Sequence, residues 1–243
     1  VLRLARQWAK AGTPVAAKVR MHLRLADLLL ASGRDSLAGE QLREAQRLST
    51  DATVDRESEA RLLVVRVAEA DSLAEIDELL RQTQRASGGT PTHMRLSANV
   101  LLVHMLSEYR ADSWGAGWFL AGEVARDSLR NKRLAHRFFR LAADSAPEPI
   151  GPTALLAAAL LRPDSAERYR ERVRRDHPES PAGYVLAGRD AAVLPAWTFI
   201  DEQLRSRWNF IGKFYRDSIA KLRPVVPNPQ MQQQPDARLG QLP

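Results

Sequence analysis

The chain has 243 residues, 44% hydrophobic and 27% charged, with a formal charge of +7 and a pI near 10.2. That balance belongs to a folded protein rather than a disordered one, and no apolar run approaches the ~20 residues needed to cross a bilayer. The lack of cysteine excludes disulfides, thiolate nucleophiles and Cys-ligated zinc.

Residues 1–11 carry Leu4, Ala5, Trp8 and Ala9 on one side, which predicts a helix ended by Gly12-Thr13-Pro14. A second helix is expected over Val15 to Ala31, with Leu25, Leu28 and Leu29 as its apolar stripe. Gly33 then makes a tight turn into a helix holding Leu37, Leu42, Ala45 and Leu48. Further helices follow over Glu57–Ala70, Leu73–Arg85 (with Asp71-Ser72 as its cap) and His93–Tyr109. Asp112-Ser113 opens a segment with Trp114, Trp118, Phe119 and Leu120, and Asn131–Ala143 comes next. Pro163 and Pro178 divide the following region into Thr153–Leu161, Asp164–Asp176 and Pro181–Ala192. A long helix spans Ala196 to Leu222. No useful length shows the alternating period of a strand, so the expected fold class is all-α.

A pattern recurs: a small residue, a large apolar one four later, a small or apolar one three after that, then proline. Ala135, Phe139, Ala142 and Pro147 fit it fully. Ala166, Val173 and Pro178 fit it with Arg170 in the large position, and Ala38, Leu42 and Ala45 fit it without the proline. The paired first helices of the hairpins offer Leu25-Ala26-Leu29, Leu156-Ala157-Leu160 and Tyr184, Ala187, Gly188. Small residues let a helical hairpin close, and such a hairpin buries its faces only by stacking on neighbours. This pattern resembles the tetratricopeptide repeat (TPR) family, and Asp176 to Tyr184 is similar to the inter-repeat joint of bacterial envelope members. The resemblance implies a right-handed α–α solenoid of TPR-like hairpins, a groove for a protein partner and no catalysis. The division expected is a repeat array over 1–195, an aromatic-rich helix over 196–223 and an extended Pro/Gln-rich tail over 224–243.

The candidate surfaces are two. Six of the fifteen aromatic residues lie between Trp197 and Tyr215. Within this stretch Trp197, Ile200, Leu204, Trp208, Ile211 and Tyr215 form a stripe, with Phe210 and Phe214 on a neighbouring face. Part of the stripe caps the final hairpin; the excess suits docking to a protein or a peripheral membrane contact. Arginine dominates the basic residues, 31 against 5 lysines. Two runs stand out: Arg126 to Arg140, and Arg162 to Arg175 around Tyr169, where Arg168, Arg172 and Arg175 share a face. Such a surface grips nucleic acid or anionic headgroups, unless the interleaved Asp164, Glu167, Glu171 and Asp176 neutralise it.

None of the five histidines has a ligand-like partner at metal spacing, so neither a metal nor another cofactor is expected. Ser87-Gly88-Gly89-Thr90 lacks the ending of a phosphate loop, and Gly115-Ala116-Gly117 reads as close helix packing. The expected function is a non-catalytic scaffold or adaptor, an accessory subunit of a larger assembly at a bacterial cell envelope or periplasm. The alternative is a basic repeat protein that binds nucleic acid through the Arg126–Arg175 surface.

Overall fold

The computed structural model describes residues 13–108 and 115–222. The helix expected over 1–11, the Asp112-Ser113 cap with Trp114, and the tail over 224–243 lie outside the described residues. So do the side chains of Phe210, Ile211, Phe214 and Tyr215.

Every regular element among the described residues is helical. The α-helices are α1 (Val15–Ala31), α2 (Asp35–Leu48), α3 (Ala52–Glu69), α4 (Leu73–Ser87), α5 (Pro91–Glu108) and α6 (Ala116–Asp127). They continue with α7 (Lys132–Ser145), α8 (Ile150–Leu161), α9 (Pro163–Asp176), α10 (Pro181–Leu186) and α11 (Pro195–Leu222). Local chemistry starts and stops them. Asp51 accepts a hydrogen bond from the Thr53 amide at the head of α3. Ser72 accepts from Glu75 N while the Glu75 carboxylate accepts from Asp71 N, a reciprocal pair that opens α4. Pro163 and Pro181 open α9 and α10, where a missing N–H costs nothing. Helix α1 ends in a Schellman turn: Gly33 takes φ +72°, and Arg34 N reaches back to Leu29 O at 2.9 Å.

Consecutive helices pack on one another along the chain. The small residues work as the pattern requires: Ala26, Ala38, Leu42 and Ala45 are wholly buried where α1, α2 and α3 approach. Ala135, Phe139 and Ala142 are equally sealed in α7, and Val173 in α9. The largest apolar core runs from Leu63 to Ala158, with the Phe119 and Phe139 rings 5.5 Å apart inside it. Smaller clusters join α1 to α2 (Leu25, Leu29, Ala38) and α8 to α10 (Leu155, Val173, Ala182).

One polar residue ties distant parts of the stack. Asn131 is fully buried; its side-chain oxygen accepts from Leu134 N at 2.8 Å, capping α7. Its amide donates to Val67 O and Ala70 O at 2.8 and 2.7 Å, closing the C-terminus of α3. Beside it Arg130, at φ +58°, reaches Asp35 of α2 at 2.8 Å.

Three expectations need correction. In α8, Ala154, Leu155, Ala158 and Ala159 are buried; of the expected Leu156-Ala157-Leu160, the first two are half-buried against the core clusters and Leu160 is 74% exposed. That segment is apolar all round, so periodicity carries no register there. The helix expected over Pro181–Ala192 ends at Leu186, because Gly188 at φ +68° closes a Schellman turn, with Arg189 N on Tyr184 O. Gly188 is thus a stop signal and not a packing position. Finally, α11 does not merely cap the last hairpin. It turns back after Ala191–Val193 and packs against α5 and α6 in the middle of the chain.

Candidate binding cleft

Helices α6–α7 and α8–α9 form successive hairpins, and their second members flank a cleft of about 800 Å³. His136, Arg140, Ala143 and Asp144 lie one and two turns apart on α7 and make one wall. Ser165, Arg168, Tyr169, Arg172 and Arg175 repeat that spacing on α9 and make the other. Buried Leu155 of α8 lies at the bottom, and Arg162 stands at the α8–α9 joint. The predicted trio Arg168, Arg172 and Arg175 is therefore brought together on one cavity.

Two bonds cross between the walls. Tyr169 Oη and His136 Nε2 are 2.9 Å apart, and Arg172 Nη1 donates to Asp144 Oδ1 at 3.3 Å. Arg175 is held bidentately by Asp176 at 2.7 and 3.0 Å. The side chains of Arg140, Arg162 and Arg168 make no hydrogen bond or ion pair among the described residues. Five arginines thus face Asp144 and Glu171, and three of the five are uncommitted. The field registers on His136: burial, then Arg162 and Arg140, hold its pKa below the ordinary histidine value.

The interleaved acids neutralise part of the remaining surface. Glu167 pairs with Arg174 at 2.6 Å and with Arg170 at 3.4 Å. In the earlier run, Arg126 is bound to Asp127 at 2.7 Å, Arg130 to Asp35 and Arg133 to Asp71, each of the last two at 2.8 Å. The Arg126–Arg175 region is consequently not a continuous free basic track; three of its uncommitted arginines gather at the cleft, while Lys132 and Arg137, also without an ion pair among the described residues, lie outside it.

The second predicted surface is partly covered. Ile200 is buried and Leu204 half-buried, whereas Trp197 and Trp208 remain 47% and 45% exposed. Trp208 borders a groove between α6 and α11 with Leu120, Val124 and Leu204. Glu123 in that groove has its carboxyl pushed up by burial. Arg207, which sequence reasoning passes over, is buried beside Gly117.

Arg140 and Arg162 belong to the two expected basic runs without standing out within them, and His136 lies outside the expected surfaces. Spacing was a usable signal for two of them: His136, Arg140 and Asp144 recur every four residues, on the side of α7 away from Phe139. Among the described residues no group of three or more His, Asp or Glu side chains is placed to hold a metal ion. No described helix is long and apolar enough to cross a membrane. Compared with family models, with curated proteins and with solved structures, the chain matches none.

Proposed function

We propose that this chain is a non-catalytic scaffold of TPR-like hairpins in a right-handed solenoid, an accessory subunit that holds a protein partner within a larger assembly at a bacterial cell envelope. The observation that carries the reading is the surplus charge of the α7–α9 cleft. Arg140, Arg162 and Arg168 line it without carboxylate partners among the described residues, so the fold does not use them internally. Uncompensated like charges gathered on one surface oppose folding slightly and favour an anionic counterpart. The half-exposed Trp197 and Trp208 of α11 supply a second, apolar contact of the kind enriched at protein interfaces. The pairing of Arg126, Arg130 and Arg133 with carboxylates leaves Lys132 and Arg137 as isolated free cations of that run, which weighs against the nucleic-acid reading, since that needs many along a track.

Site-specific photo-crosslinking tests this. A photoreactive residue at Arg168 or Trp208 is expected to give a discrete protein adduct in cells, while one at exposed Arg81 on α4 gives none. Adducts with nucleic acid alone, or the same pattern at all three positions, would refute the scaffold reading.

A further inference from the structure

We infer that the α7–α9 cleft is a receptor for an extended acidic segment of a protein partner, gripped by Arg140, Arg162 and Arg168 above Leu155 and Ala143. This rests on the scaffold reading and narrows it to one surface and one ligand chemistry.

Size argues for a segment rather than a single ion. Arg162 and Arg175 are thirteen residues apart in sequence, roughly 20 Å along the α9 axis. An extended peptide covers that distance with about six residues. One phosphate fills only a small part of a cavity of about 800 Å³. Arginine suits the task because its planar donor fork matches a carboxylate in two parallel bonds.

The lining chemistry favours a peptide over a phosphate backbone. Asp144 and Glu171 interrupt the arginines. Evenly spaced phosphates would bring charge against both carboxylates, whereas a peptide alternates acidic side chains with amide N–H groups that these carboxylates accept. Ala143, half-buried over the sealed Leu155, adds a small apolar surface that suits the aliphatic part of a glutamate or a neighbouring apolar residue. Arg172 is pre-engaged by Asp144 at 3.3 Å, so the wall holds its own competitor for an incoming carboxylate. Removing Asp144 therefore releases a fourth arginine, and the sign of that effect is distinctive.

Fluorescence anisotropy on the full chain reads this directly. The probes are a labelled eight-residue peptide alternating Asp and Glu, its Asn/Gln counterpart, an oligothymidylate of matched charge and phosphatidylglycerol vesicles. The acidic peptide is expected to bind most tightly. The double change Arg162→Gln with Arg168→Gln weakens it about tenfold or more. Asp144→Asn tightens it several-fold, and Arg47→Gln with Arg81→Gln, an equal loss of charge on α2 and α4 away from the cleft, changes it less than about twofold. Circular dichroism melts confirm that each variant is folded. The inference fails if the acidic peptide does not bind, if the Arg47→Gln and Arg81→Gln pair weakens it as much as the cleft pair, or if oligothymidylate or vesicles bind more tightly through the same arginines. A discrete crosslink at Trp208 together with no peptide binding would sink the cleft assignment while leaving the scaffold reading in place.

Discussion

Asn131 shows how one side chain holds separate hairpins together. It satisfies one donor at the head of α7 and two carbonyls at the end of α3, with no exposed surface of its own. Asn131→Ala strands buried backbone groups in both helices, and each such group costs about 1–3 kcal/mol. Urea denaturation should therefore show a loss of about 2–4 kcal/mol, beyond what an exposed cap would give. An asparagine at the head of the expected segment Asn131–Ala143 is itself a cap signal. Its amide contacts sixty-odd residues away had no local signal, because they depend on how α3 and α7 stack.

His136 gives the cleft a pH dependence whose sign is fixed. Its pKa is held down by burial and by Arg162 and Arg140, so the folded protein resists protonating it. This group's contribution to stability is therefore present above the ordinary pKa of about 6.5 and falls away as pH drops below it. Tyr169 and Arg172 face it from α9, Arg162 from the joint, and Arg140 and Asp144 from its own helix. A bound carboxylate counters the arginines and makes protonation easier. Acidic-peptide affinity should accordingly rise between pH 8 and 6, and His136→Gln should flatten the profile; equal slopes in both proteins would contradict this.

At the scale of elements, close approach between helices decides which small residues are replaceable. A Cβ on Gly117 would lie 2.4 Å from Leu106 O of α5 and 2.8 Å from the Arg207 guanidinium of α11. Gly117→Ala must push those helices apart, at about 1–3 kcal/mol. A Cβ on Gly39 in α2 meets nothing nearer than 3.7 Å, so Gly39→Ala should stabilise by about 0.4–1 kcal/mol through unfolded-state entropy and helix propensity. Thermal melts of the two variants should move in opposite directions. The helices themselves were legible where apolar spacing and caps agree, as in α1, α2, α4 and α7. They were not where the segment is apolar throughout, as in α8, or where a glycine stop follows after two turns, as in α10. The return of α11 onto α5 and α6 was hidden because its stripe specifies a buried face without naming what covers it.

For the molecule as a whole, the sequence exposed the repeat logic but not the distribution of uncommitted charge. Arg168, Arg172 and Arg175 were recognisable as a shared face of α9 from spacing alone. Which arginines stay unpaired was not, since Asp144 lies on another helix and Asp35 answers Arg130 across ninety-five residues. Stacking silences Arg130 and Arg133, acids of their own helices silence Arg126 and Arg174, and Arg140, Arg162 and Arg168 are left to the cleft.

The most direct measurement is an NMR titration that follows the arginine Nε–Hε resonances while acidic peptide is added. The account predicts saturable shifts confined to Arg140, Arg162, Arg168 and Arg172, together with the His136 ring. Shifts spread evenly over all the arginines, or concentrated on Arg205 and Arg207 of α11, would contradict it.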